Sequence, residues 1–279
     1  MTDAPFYDRD GITIHNGDNC QVLQTMSAES IDLVVTSPPY DELRAYGGHS
    51  WDFESLAKHL ERLVKPGGVI VWIVNDATVE GSETGSSLRQ ALHFMSLGLR
   101  LHDTMIYHKN GSPFPETNRY SPVWEYMFVF SKGRPKTVNL IADRKTINAG
   151  AKKKSPMERQ PDGSIRRPER RFTIAEYSVR YNVWTVDAGF TTTTKDRKAY
   201  QHPAIFPESL ARDHILSWSN EGDIVLDPFN GSGTTTKMAR ETGRIGIGID
   251  AEELYCQIAA ERLAQRGLFT AEDTADAET

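Results

Sequence analysis

Ser37-Pro38-Pro39-Tyr40 follows directly on the apolar run Ile31-Asp32-Leu33-Val34-Val35. The run reads as a buried strand that ends in a rigid tip. Two prolines lock the backbone and remove two N–H donors. What remains is a hydroxyl, bare carbonyls and one aromatic face at the carboxyl edge of a sheet. Such a tip can accept hydrogen bonds from an amino group and stack on a flat ring. A nucleobase with an exocyclic amine offers both. The plain alternative is a polyproline turn. That suits a disordered tail better than the end of a buried strand.

Nearly two hundred residues later, Asp223-Ile224-Val225-Leu226-Asp227 reads as a second short buried strand. It runs into Pro228-Phe229-Asn230-Gly231-Ser232-Gly233-Thr234-Thr235 and then a helix through Arg240. A glycine-rich turn between strand and helix lets a ligand approach the backbone beside helix N–H groups. The next strand, Ile245 to Asp250, ends in an acid. A carboxylate about 20 residues past such a turn commonly grips ribose hydroxyls. The spacing of Gly231, Gly233 and Lys237 does not fit a phosphate-binding Walker loop.

Together these residues resemble the amino-group DNA methyltransferases. The proline-tyrosine tip is similar to that family's catalytic motif, and DPFNGSGTT to its S-adenosylmethionine (SAM) motif. Their order, catalytic tip first, is that of the circularly permuted β group. Gly17-Asp18, the run Trp124 to Gly133, Asn182-Val183-Trp184 and His202 to Pro207 also fall where the family has matching segments. The resemblance covers most of residues 11 to 266.

It implies a class I SAM-dependent methyltransferase fold, α/β and Rossmann-like, with a mostly parallel seven-stranded sheet. It implies Ser37, Pro38, Pro39 and Tyr40 as the catalytic set. SAM would be held by Asp227, Phe229, Gly231, Gly233 and Thr234, with Asp250 on its ribose, Asp18 near its adenine and Phe206 flanking it. Asp18 reads equally as a helix cap, and Phe206 as a core aromatic. Ser at the first catalytic position favours cytosine N4 over adenine N6. A fold that binds DNA without turnover is the third reading. The partner is double-stranded DNA, the setting restriction–modification, and a homodimer follows by analogy alone.

Charge distribution points to the same partner. The 279-residue chain has a net charge of −6, yet residues 132–171 hold 13 Lys or Arg against 4 Asp or Glu. That is a local +9, leaving −15 on the rest. A basic segment on an acidic body is the footprint of a polyanion site. Lys152, Lys153, Lys154, Arg166, Arg167, Arg170 and Arg171 are its candidates. Two cysteines, neither in a Pro-Cys pair, offer no disulfide framework and no covalent cytosine-C5 route; they read as core fillers. The eight histidines lack metal spacing, and no metal is expected. No long apolar run or signal pattern occurs, so cytoplasmic residence is expected.

The flanking elements would bring the two tips to one edge. Helices are expected over 19–26, from Phe53 to Val64, over 86–96 with Leu88, Ala91, Leu92 and Met95 inward, over 207–218 and over 252–265. Strands are expected over 12–15, 31–36, 69–74, 101–107 and 124–130, besides the two already named. Trp124 and Trp184 read as core. Residues 41–50 read as a loop. The expected organisation is a catalytic part (1–132), a target-recognition insertion (133–200), a SAM-binding part of the same domain (201–267) and a disordered tail (268–279). Alternating strands and helices imply helices on both faces of the sheet, with ligands beyond the strands' carboxyl ends.

Overall fold

The computed structural model describes residues 4–39, 51–111, 117–168, 171–187, 194, 196, 198–199 and 205–265. Tyr40, Arg170, the 41–50 loop, His202 to Ala204 and the 268–279 tail lie outside the described residues.

Nine strands form one sheet. They are β1 (Tyr7–Arg9), β2 (Ile12–Asn16), β3 (Ile31–Thr36), β4 (Val64–Val74), β5 (Arg100–Asn110), β6 (Trp124–Ser131), β7 (Val183–Asp187), β8 (Ile224–Asp227) and β9 (Ile245–Asp250). Their spatial order is β1-β2-β9-β8-β3-β4-β6-β5-β7. From β2 to β4 all neighbours run parallel. Strand β6 is antiparallel to both β4 and β5. The seven strands from β2 to β5 are those the sequence leads one to expect. Strand β1 adds antiparallel at one edge and β7 parallel at the other.

Period-two burial splits the core into two layers. One face packs Leu33, Val35, Val71 and Val225 against α4 (Glu208–Trp218), α5 (Thr234–Glu241) and α6 (Glu253–Ala264). The other packs Val34, Ile70, Trp72 and Leu226 against α1 (Asn19–Thr25), α2 (Phe53–Leu63) and α3 (Ser86–Ser96). Helix α2 shows the local logic. Asp52 caps it, accepting from Ser55 N at 3.1 Å. Leu56, Ala57, Leu60 and Leu63 then share its buried face. Each such leucine is worth about 1.5–3 kcal/mol of burial.

Helix α3 forms where expected but turns the other way. Ser87, Ala91 and Phe94 face inward, while Leu88, Leu92 and Met95 are exposed. Asp76, just beyond β4, sets this rotation by accepting from Ser87 N (2.8 Å) and Ser87 Oγ (2.9 Å). Trp184 is buried in the core, but Trp124 is 38% exposed, edge-on to Tyr126. It begins an edge-proximal strand, and its ring lies past the end of the core.

Residues 140–181 form a separate unit, narrower than the 133–200 insertion of the sequence reading. Asn182 and β7 are claimed by the main sheet, where Ile106 N donates to Asn182 O at 2.8 Å and Val183 registers with Ile106. On the other side, Asn139 N donates to Ser217 O at 2.8 Å. The 140–181 unit consists of short antiparallel pairs. Arg144–Lys145 pairs with Tyr177–Ser178, Lys152–Lys154 with Arg171–Thr173, and Glu158–Arg159 with Ile165–Arg166. No described residue in it is buried. Among the described residues, no helix is long and apolar enough to cross a membrane.

Candidate active site

Strands β3 and β8 are parallel neighbours, with Leu33 opposite Val225 and Val34 opposite Leu226. Their carboxyl ends therefore emerge side by side, and the two polar tips meet. Thr36 Oγ1 donates to Asp227 Oδ1 at 2.7 Å, a buried bond between residues 191 positions apart. Thr235, in the first turn of α5, donates to the Val35 carbonyl at 3.3 Å. The glycine turn and the Ser37 tip thus share one hydrogen-bonded seam. Ser37 and Pro39 are half-buried and Pro38 is buried.

Asp227 is the best-buried acid at this seam, 4% exposed. Burial pushes its carboxyl up to about 6, against hydrogen bonds from Thr36, Thr235 and Phe229 N that favour the anion; the Asp250 charge pushes in the same direction as burial. Desolvation is the largest of these causes.

The turn itself is built for close approach. Gly231 and Gly233 both have positive φ, +47° and +79°. A Cβ on Gly233 would stand 2.6 Å from Ala259 Cβ. Gly233 begins α5 with no side-chain cap, leaving helix N–H groups to other partners. Gly248 in β9 leaves room for Asn230, whose side chain a Cβ there would meet at 2.4 Å. Asn230 Oδ1 accepts from Thr236 Oγ1 at 3.0 Å, but its buried Nδ2 has no hydrogen-bond partner among the described residues. A buried unpaired amide costs about 1–3 kcal/mol; a ligand acceptor would relieve it.

Asp250 closes the turn. Its Oδ2 accepts from Gly231 N at 2.8 Å and its Oδ1 from Glu252 N at 3.0 Å. Asp18 is a helix cap, accepting from Gln21 N at 2.9 Å. Thr234 is buried at the start of α5. Phe206 packs against the core just before α4. Phe229 meets Trp51 edge-on, ring centroids 5.0 Å apart. Trp51, which sequence reasoning passed over, also touches Phe53 and Trp72. Thr36 and Asn230 were missed as well. Their only sequence signal was position, one residue before the Ser37 tip and one inside the glycine turn.

Burial raises both thiols, Cys20 to about 11 and Cys256 to about 12. Both stay protonated at neutral pH and are poor nucleophiles. The basic candidates sit in the 140–181 unit. Lys152, Lys153 and Lys154 lie opposite Thr173, Phe172 and Arg171 on an exposed two-stranded ribbon. Arg166 pairs across from Glu158, and Arg167 is exposed.

The DNA methylase family profile for N6 and N4 methyltransferases matches residues 31–261. The orphan methyltransferase M.BamHII of Bacillus amyloliquefaciens is 56% identical over 235 residues, covering 84% of this chain and 89% of that protein. In structure, the chain is similar to the PvuII cytosine-N4-specific DNA methyltransferase, with TM-score 0.69 and 18% identity over 99% of this chain and 94% of the other. A Thermus thermophilus protein assigned as a DNA modification methylase, complexed with S-adenosyl-L-methionine, matches with TM-score 0.57 and 25% identity over 90% and 94% of the chains.

Proposed function

This chain belongs to the N6/N4 DNA methylase family, and we propose that it methylates the N4 amine of cytosine at a short site in duplex DNA. SAM is the family's methyl donor, and it supplies an electrophilic methyl on a cationic sulfonium. The observation that carries the reading is the seam of β3 and β8, where the Ser37 tip and the glycine turn are joined through Thr36 and Asp227.

The residues around the turn fit such a cofactor. Gly231, Gly233 and Thr234 would let its methionine portion lie against the backbone, with Asp227 the matching anion for a cationic centre. Asn230 Nδ2 offers a donor. Phe229 and Trp51 offer apolar faces. Asp250 already accepts from Gly231 and Glu252, and a carboxylate has enough lone-pair sites to take a ribose hydroxyl as well. Asp18 uses one oxygen for its cap, and the other would lie near the adenine. Phe206 acts by shaping the wall from the core side.

An exocyclic amine is a weak nucleophile because its lone pair is delocalised into the ring. Ser37 Oγ and the Pro38 carbonyl would accept its two hydrogens and turn the lone pair toward the methyl donor. Tyr40 would stack on the everted ring. The target must leave the duplex first, since its amine is otherwise paired. Catalysis then rests on orientation and electrostatic fit, with no covalent intermediate. Ser37 supports cytosine because family members with Ser at this position usually methylate cytosine N4, and those with Asp adenine N6. The exposed basic ribbon at Lys152–Lys154 and Arg171, with Arg166, Arg167 and Arg170, is assigned to the DNA backbone.

The test is nucleoside mass spectrometry on DNA incubated with the protein and labelled SAM. N4-methylcytosine is the expected product. N6-methyladenine would reassign the base, and SAM binding without transfer on varied sequences would leave only a binding protein.

A further inference from the structure

Arg262, on α6, is a charged side chain at helical spacing from Ile258 and Ala259 on the buried face, and it is 1% exposed. Its donors radiate to three segments. Nη1 donates to the Ser232 carbonyl at 2.5 Å and Ser232 Oγ at 3.1 Å, inside the glycine turn. Nη2 donates to Glu208 Oε1 at 2.7 Å, and Nε to Asp196 Oδ2 at 2.9 Å. Glu208 Oε1 also accepts from Lys237 Nζ and Thr194 Oγ1, each at 2.8 Å. Two cations and two carboxylates thus close a largely buried network.

Docking α6 against its neighbours does not require this. A buried ion network is often no more stabilising than well-packed apolar residues of similar volume. What a guanidinium adds is a rigid fork of donors with fixed directions. Here the fork is aimed at the one carbonyl between Gly231 and Gly233, two residues whose backbones are the least restrained in the turn. Fixing that carbonyl fixes the plane of the Ser232–Gly233 peptide. The other arm holds Glu208, two residues past Phe206.

We infer that Arg262 is a positioning residue for cofactor binding, locking the glycine turn and the Phe206–Glu208 segment into one fixed spacing. This rests on the reading of those two segments as walls of the SAM site. Asp196 and Thr194 extend the same lock to the stretch ahead of α4.

The experiment is calorimetric SAM binding and steady-state methylation with the full chain, comparing wild type, Arg262→Met and Arg262→Lys at a temperature where circular dichroism shows each folded. Arg262→Met should raise both Kd and KM for SAM about tenfold or more. kcat at saturating SAM and affinity for duplex DNA should not change. Arg262→Lys keeps the charge with one donor head and should fall between. A folded Arg262→Met that binds SAM as tightly as wild type, with only its melting temperature lowered, overturns the inference. If Arg262→Met does not fold, Glu208→Gln carries the test: it leaves Arg262 on Ser232 but weakens the second arm. A smaller rise in Kd is then expected, and an unchanged Kd overturns the proposal. Wild type with no measurable SAM binding would instead sink the functional reading, before any variant is compared.

Discussion

The carboxyl edge of the central sheet and the 140–181 unit are built by opposite means. At the sheet edge, burial dictates position. Val34, Val35 and Leu226 are wholly inaccessible, and the polar groups just past them are bonded across strands. In the 140–181 unit no described residue is buried, and its strands are two or three residues long. It is held by local bonds such as Thr146 N to Glu176 O and by the Asp143–Arg180 ion pair. With the 140–181 unit assigned to the DNA backbone as proposed, the difference separates two demands. Methyl transfer tolerates little displacement of the reacting groups, whereas contact with a phosphate backbone needs charge more than fixed geometry.

The contrast can be broken with a pair of glycines. Gly233→Ala forces a Cβ into Ala259 at a positive φ and should cost roughly 2–4 kcal/mol in denaturant unfolding. Gly163, at nearly the same φ (+83°), faces open space in a turn of the other unit. Gly163→Ala should cost only about 1–2 kcal/mol of local strain and leave the main transition in place. Equal losses in the main transition would refute the contrast.

Ser37→Ala should cut turnover about a hundredfold, near 2.7 kcal/mol of lost transition-state hydrogen bonding, with SAM affinity intact. Equal loss of both would remove Ser37 from the chemistry and return it to the scaffold.

Acidity probes the seam more gently. Asp227, raised by burial to about 6, favours the folded state most when neutral. Its contribution to stability is therefore full below about pH 4 and declines as pH rises to about 6. Binding of a sulfonium should do the reverse, since it needs the anion: SAM affinity should fall about tenfold from pH 7 to pH 5. Asp227→Asn should bind more weakly at pH 7 and lose that slope. A wild-type profile flat over this range would separate Asp227 from the cofactor.

The smallest effect belongs to the basic ribbon. Replacing Lys152, Lys153 and Lys154 with Gln should flatten the log–log salt dependence of DNA binding by about two to three. SAM affinity and melting temperature should stay where they are. An unmoved salt slope would place the DNA footprint elsewhere.

Burial also explains which parts of the molecule were legible in the sequence. The β3 and β8 strands, α2, α4 and the glycine turn follow from apolar runs, breakers and two special tips. The rotation of α3 was not legible. Leu88, Ala91, Leu92 and Met95 make a better apolar stripe than Ser87, Ala91 and Phe94, and the second is selected by contacts across the fold: the Asp76 bonds to Ser87, the Trp72–Gln90 bond and the packing of Phe94 on Trp72 and Phe130. Strand β7 was hidden because its sequence sits beside a charged stretch and its pairing partner, β5, lies 70 or more residues away. Arg262 and Trp51 were missed because their roles depend on contacts across the fold. The charge of Arg262 argues for the surface, although its spacing from Ile258 and Ala259 puts it on the buried face of α6. Tyr40, by contrast, was read from the sequence alone.

The Thr36–Asp227 bond has a practical corollary. A polypeptide severed within 140–181 would yield two fragments, the first carrying β3 with the Ser37 tip and the second carrying β8 with the glycine turn. Neither could complete the sheet alone, since each would expose the apolar flank that the other covers. Methylation would then report on whether two separately expressed pieces had met, which makes this protein a candidate for a split reporter read out in DNA.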